Sequence, residues 1–229
     1  MKKVLVFTIT RNRLDTFKKY YHTFKEKNKV PGVEIVYLII DNGSDKEMVE
    51  HLKTLSKDIK LIFNPVNEGI TWAWLRALRW AKENGFDFDY FVKLDPDIRV
   101  ESEGILEKYI KVSRIYGDKY IAAPVDLNIH PDYVPRRLGQ RRLFALLGSK
   151  IEKPLPFLLT THIGGACSFY PKRAMNIFQG EVTPPKGDTE RGAFFRRKGF
   201  EVGYFETLSM SHMGVVPETK DYPPEKYIY

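Results

Sequence analysis

Phe88-Asp89-Tyr90-Phe91-Val92-Lys93-Leu94-Asp95-Pro96-Asp97 is the stretch on which the reading of this chain turns. A mostly apolar run, Phe88 to Leu94, is followed at once by two carboxylates one residue apart. A short apolar run of this kind predicts a strand covered on both faces, as in a parallel sheet. The two acids repel each other unless a cation or a basic side chain neutralises them. The proline between them fixes its own φ and removes a backbone donor. Hard oxygen ligands suit Mg²⁺ or Mn²⁺, which keep waters and take remaining ligands from a substrate diphosphate. Asp-Pro-Asp is also ordinary turn composition, so the triplet alone leaves a surface turn open.

Upstream of that stretch the chain alternates between two periods. Val4 to Ile9, Val33 to Ile40 and Lys60 to Phe63 read as strands. Between them Leu14, Phe17, Tyr20, Tyr21 and Phe24, then Met48, Val49, Leu52 and Leu55, then Ile70 to Lys82, recur at helical spacing. Strand–helix alternation favours parallel pairing through right-handed crossovers. The fold expected is α/β, a Rossmann-like, mostly parallel open sheet flanked by helices. Downstream the pattern loosens. Helices are expected at 104–116, 172–178 and 188–198, and strands at 120–124, 163–170 and 202–205. Residues 126–162 show no clear period, and the Pro- and Tyr-rich tail from 217 reads as extended or ordered only by docking. One domain follows, with a half at 1–100, a second half at 101–216 and a tail at 217–229.

Composition narrows the class. The 229 residues are 43% hydrophobic and 29% charged, which excludes a disordered or fibrous chain. Cys167 is the only cysteine, so an internal disulfide and a Cys-rich zinc module are excluded, and a reducing, cytoplasmic setting is expected. No apolar run approaches the roughly 20 residues that span a bilayer. The net charge of +8 raises the possibility of a nucleic-acid partner. No helix-turn-helix, zinc-finger or RNA-stacking signature accompanies it, and no nucleic acid is expected.

In open α/β sheets ligands bind outside the carboxyl ends of the strands. Strand one runs into Thr8-Ile9-Thr10-Arg11-Asn12-Arg13, strand two ends at Asp41, and strand four ends at Asp95 and Asp97. One cleft should therefore gather the three acids.

The order and spacing of four segments resemble the family 2 glycosyltransferases of the A-type nucleotide-diphospho-sugar transferase fold. They are the Thr-rich end of strand one with Asn12-Arg13, Asp41-Asn42-Gly43-Ser44-Asp45, Asn64-Pro65-Val66-Asn67-Glu68-Gly69, and Leu94-Asp95-Pro96-Asp97. The Asn67-Glu68-Gly69 turn is similar to the rhamnosyltransferase-like branch. The match is close over about residues 1–100 and looser beyond.

The resemblance implies a metal-dependent, inverting transfer of a sugar from a nucleotide diphosphate to a hydroxyl acceptor. The donor would be UDP-, dTDP- or GDP-linked, and the acceptor a glycan, a lipid-linked or another hydroxyl compound. Thr8, Thr10, Asn12, Arg13, Asp41, Asn67, Gly69 and Asp95 would line the donor site, with Asp41 accepting from a uracil- or thymine-type base. Asp95, Asp97 and His212 would hold Mn²⁺ or Mg²⁺. Counting back from Gly199 in the Arg/Lys-Gly segment puts Asp188 at the family's general base and Glu190 at a second acid. Gly187 replaces the first acid of the usual pair, so Asp188 and Glu190 compete for the role, and both also suit a helix N-terminus. Gly164 and Gly165 resemble an acceptor-side stretch of small residues; a strand bulge is the plain alternative.

Other features carry weaker expectations. Arg136 to Lys150, with Leu138, Leu143, Leu146 and Leu147, suits either a mobile loop or contact with an anionic membrane face. Trp72, Trp74 and Trp80 are expected mostly in the core, with one free to stack on a sugar. A sugar-phosphate nucleotidyltransferase shares the sheet and the metal chemistry, but it needs a Gly-rich loop after strand one, and Thr10-Arg11-Asn12-Arg13 has no glycine.

Overall fold

The computed structural model describes residues 1–128, 137–143, 146–147, 150–151 and 155–213. The first half runs β1 (Lys2–Thr10), α1 (Leu14–Tyr20), α2 (Thr23–Lys27), β2 (Val33–Asn42), α3 (Lys46–Thr54), β3 (Lys60–Asn64), α4 (Ile70–Glu83) and β4 (Tyr90–Leu94). It continues through β5 (Ile98–Val100), α5 (Ile105–Tyr116), β6 (Tyr120–Asp126), β7 (Arg137–Leu143), β8 (Leu146–Leu147), β9 (Lys150–Ile151) and β10 (Leu155–Thr160). The chain then forms β11 (Cys167–Pro171), α6 (Lys172–Gln179), α7 (Asp188–Arg197) and β12 (Glu201–His212).

One sheet has the order β3-β2-β1-β4-β11-β6-β12-β10-β7, with β5 paired to β12. β3, β2, β1 and β4 are parallel neighbours, as are β6 and β12. Only β5, β10 and β11 run against the rest of this sheet. The carboxyl ends of β1, β2, β4 and β12 therefore share one edge.

Alternation along the strands splits the core into two layers. Leu5, Phe7 and Phe91 face α4, α6 and α7, while Val4, Val6 and Val92 face α2 and α5. Helix α4 seats Ala73, Ala77 and Ala81 against the sheet, and these small residues make room for Trp74. The indole packs on Phe7, Phe91, Tyr170 and Phe178, with centroids 5.2 to 6.5 Å away. Truncating such a side chain to alanine typically costs about 3–5 kcal/mol. A smaller cluster of Phe17, Ile39, Met48, Leu52 and Ile59 fixes α1 and α3.

The expected α/β sheet is present, with four local departures. The helix read over 14–24 breaks in two because the Thr23 hydroxyl lies 2.8 Å from Tyr20 O and accepts the Val100 N–H at 3.1 Å. The strand read over 163–170 starts only at Cys167, since the Gly164 and Gly165 N–H groups are drawn to side chains outside the ladder. The strand read over 202–205 runs on to His212 through a register break between Phe205 and Ser209. The three-residue β5 was not anticipated. The segment without a period contains β7 and β10, an antiparallel pair. The 136–150 segment is described only in part, and the tail at 217–229 lies outside the described residues. Among the described residues no helix is long and apolar enough to cross a membrane.

Candidate active site

The site is assembled at the shared carboxyl edge. Thr10 and Asp41 are partners in the β1–β2 register, and both are buried. Asp41 Oδ2 accepts the Ser44 N–H at 3.1 Å. Its Oδ1 and the Thr10 hydroxyl are buried with no protein partner. Buried polar atoms are rarely left unpaired, so this pair is chemically suited to a ligand's donor and acceptor groups. Thr8 is buried two residues earlier in β1.

Asn12 and Arg13 follow with φ of 55° and 60°, a left-handed backbone that is uncommon for residues with a Cβ. Asn12 compensates locally. Its N–H donates to Ser44 Oγ at 2.8 Å, and its Oδ1 accepts from the Asp45 N–H at 2.9 Å. Asp45 in turn caps α3 through the Met48 N–H. This geometry aims Arg13 across the cleft, where Nη1 lies 3.1 Å from Asp97 Oδ2.

The 64–69 turn is built by amides. Asn42 Oδ1 accepts from Asn64 Nδ2 and from the Glu68 N–H, and Asn42 Nδ2 donates to Asn67 Oδ1 at 2.5 Å. Asn67 Oδ1 also accepts the Gly69 N–H. Asn67 is thus a turn builder, and Gly69, at φ 83°, starts α4. At Gly43 a Cβ would stand 2.8 Å from the Val66 backbone, so the two turns touch.

Beyond β4, Asp97 is 3% exposed. Register explains its partner: β5 pairs with β12 so that Ile98 opposes His212, and the Met213 N–H donates to Asp97 O. His212 Nε2 therefore lies 3.3 Å from Asp97 Oδ1, while Asp126 Oδ1 accepts the His212 N–H. Burial alone would raise the Asp97 pKa, but the His212 hydrogen bond and the charges of His212 and Arg13 hold it below the ordinary carboxylate range. For His212 burial works downward, and Asp97 with the neighbouring acids outweighs it and raises the imidazole. Asp95 is shifted up, first by burial and then by Asp97, against the pull of Lys93.

Donor atoms of Asp95, Asp97 and His212 all lie within 4.8 Å of one another. Two carboxylates and an imidazole form a donor set that fits a divalent cation of the Mn²⁺ or Mg²⁺ kind.

The residues expected on the acceptor side lie next to the same acids. The Asp95 N–H donates to Ala166 O at 2.7 Å. One residue earlier, the Gly165 N–H donates to Asp188 Oδ2, also at 2.7 Å. A Cβ on Gly165 would fall 2.5 Å from Asp188 Oδ1, so a larger residue there would push the carboxylate aside. Asp188 Oδ1 is held by Arg191, whose other Nη donates to Lys186 O and whose guanidinium stacks over Trp74. Glu190 differs: its carboxylate turns back to accept the Lys186 N–H, which lowers its pKa, and it stands fully in solvent. The Gly164 N–H donates to Tyr204 Oη.

Three features went unread in the sequence. Lys93 is 3% exposed and bonds Asp95; the signal was a lysine inside an apolar strand, two residues from an acid and so on the same face. Arg191 sits at i+3 from Asp188 on α7. Asp126 carried no motif. Of the tryptophans, Trp74 is core, Trp80 half-buried and Trp72 61% exposed. Cys167 is buried and its thiol pushed well up by burial, as suits a packing residue.

No curated protein matches the sequence. Among solved structures, a mannosyltransferase from Pyrobaculum calidifontis in complex with GDP-Man and Mn²⁺ is 14% identical with a TM-score of 0.67, covering 95% of this chain and 58% of that one. GalNAc-T7 with UDP, GalNAc and Mn²⁺ is 13% identical with a TM-score of 0.64, covering 99% and 46%. S. aureus TarS 1-349 in complex with UDP-GlcNAc is 12% identical with a TM-score of 0.60, covering 94% and 61%. At these identities the likeness is one of fold, and the chain spans about half the length of those proteins. The sequence profile of glycosyl transferase family 2 matches residues 5–178, from β1 through α6. That match takes in Asp41, Asp95 and Asp97, and the chain belongs to glycosyl transferase family 2.

Proposed function

We propose that the protein transfers a sugar from a nucleotide diphosphate to a hydroxyl acceptor with the help of a divalent cation. The observation that carries this reading is the convergence of Asp95, Asp97 and His212 beside the two unpartnered buried oxygens of Thr10 and Asp41. Thr8, Thr10, Asn12, Arg13, Asn67, Gly69 and Asp41 form the donor side, with Asp41 reading the base. Asp97 and His212 hold the ion, and Asp95 meets the ribose or the ion's waters. A divalent ion there supplies positive charge to the departing diphosphate. Two similar structures are complexes that include Mn²⁺ with a nucleotide or nucleotide sugar, in agreement with this.

Asp188 is the general base of a single in-line, inverting displacement. It is fixed by Gly165 and Arg191 on the acceptor side, whereas Glu190 is spent on the turn at Lys186. Gly164 and Gly165 let the acceptor approach the backbone. Residues 1–100 serve the donor and 101–216 the acceptor, with 217–229 as a tail. The rhamnosyltransferase-like character rests on the Asn67-Glu68-Gly69 turn alone. Donors are UDP-, dTDP- or GDP-linked, and acceptors are glycans or lipid-linked hydroxyls. A cytoplasmic setting belongs to this reading, with peripheral contact of the basic 136–150 segment with an anionic membrane face as an option beside a segment that only faces solvent.

The test is a thermal-shift series of UDP-, dTDP- and GDP-sugars with and without Mn²⁺, followed by a transfer assay with the stabilising donor. Stabilisation needing both nucleotide and cation supports the reading. Stabilisation by a nucleoside triphosphate with a sugar phosphate, and by no nucleotide sugar, favours the nucleotidyltransferase.

A further inference from the structure

Lys93 lies inside the sheet, 3% exposed, in a strand otherwise made of Tyr90, Phe91, Val92 and Leu94. An ammonium in such a place is costly unless an opposite charge meets it. Its hydrogen-bonding partner is Asp95, which lies on the same face of the strand two residues on. The second acid is served in the same way from elsewhere, since Arg13 reaches Asp97. The cation-holding cluster thus already contains two built-in positive charges against two carboxylates. Among Lys93, Arg13, Asp95 and Asp97 the charges cancel before any metal arrives, and Asp126, which bonds the His212 N–H, is the next acid out.

We propose that Lys93 is a positioning residue that sets the order of loading: it discourages a bare divalent cation while favouring the nucleotide's diphosphate. The proposal rests on the metal-dependent reading above. Its physical basis is that a fixed ammonium touching one member of a cluster no more than 4.8 Å across repels any added cation and attracts any added phosphate. Lys93 bonds Asp95 and Arg13 bonds Asp97, so each carboxylate already has a cationic partner that an incoming ion must compete with. Metal affinity in such sites follows the charge count of the ligands. A cluster whose acids are already paired should bind Mn²⁺ alone only weakly.

Lys93→Met tests this with two readouts of opposite sign. Isothermal titration of the full-length protein with Mn²⁺ alone should show binding tightened tenfold or more. Titration with UDP, GDP or dTDP in the absence of metal should show binding weakened several-fold. Lys93→Arg, which keeps the charge, should stay near wild type in both. A lysine that merely supports packing would move the melting temperature and leave both affinities together or unchanged. If Lys93→Met fails to fold, Lys93→Gln makes the same charge change. If that also fails, micromolar binding of Mn²⁺ alone to the wild type overturns the proposal. A variant matching wild type for both ligands overturns the Lys93 role alone. A wild type that binds Mn²⁺ with none of these nucleotides overturns the proposed function as well.

Discussion

His212 Nε2 stands 3.3 Å from Asp97 Oδ1 because Ile98 and His212 are register partners of two antiparallel strands. Strand pairing, not a flexible loop, brings the last described strand to the Asp95–Asp97 turn. A side chain delivered in this way needs little reordering to bind an ion, which favours affinity.

The split between Asp188 and Glu190 is open to a direct comparison. A positioned base is typically worth about 10²–10⁴ in rate. Asp188→Asn should lose turnover in that range while keeping donor affinity, whereas Glu190→Gln should lose less than tenfold. Steady-state kinetics on both variants decides, and wild-type turnover in Asp188→Asn would remove it as the base.

Gly165→Ala adds a single methyl group where 2.5 Å separates the new atom from Asp188 Oδ1. The carboxylate must move, and the Gly165 N–H bond to it is strained. Turnover should fall tenfold or more, with a loss of stability of about 1–3 kcal/mol, the range for overpacking a filled site. Gly187→Ala, where no atom lies within 4 Å of the added group, is the comparison that should leave both nearly untouched.

Asp89 gives a pH prediction away from the cleft. Burial works to raise its pKa, but the Lys2 hydrogen bond, the Lys3 N–H and nearby lysine charge outweigh it and set the folded value low. The resulting stabilisation is present above the unfolded carboxylate pKa and is lost as pH falls through the lower folded value. Asp89→Asn should thus be less stable than wild type near neutral pH and approach it in strong acid. The pair is partly solvated, so the gap is about 1 kcal/mol or less. Urea midpoints of both proteins across pH measure it; a constant gap down to strong acid would contradict the assignment.

The sequence disclosed the parallel half because burial on both faces leaves continuous apolar runs, as from Val4 to Ile9. It disclosed Asp41, Asp95 and Asp97 as candidates because ligands of open α/β sheets bind at the carboxyl ends of strands, although acids there also suit turns. It hid β5 and the second half of β12, whose polar residues, such as Ser209 and Ser211, break the apolar pattern. Their pairing depends on partners far apart in the chain. His212 was legible as a candidate only through family resemblance, and its contact with Asp97 comes from that unread pairing. Lys93 was legible in physics alone: a charge in a buried strand demands a partner, and Asp95 is the one on its face.

In the proposed reaction Asp97 and His212 would hold a divalent ion that supplies positive charge to a nucleotide diphosphate. Mn²⁺ titration in the presence of UDP, GDP or dTDP, followed by electron paramagnetic resonance, tests it on wild type, Asp97→Asn and His212→Ala. The account predicts nucleotide-dependent Mn²⁺ binding in the wild type, weakened at least tenfold in each variant. Equal Mn²⁺ affinity in all three proteins would contradict it.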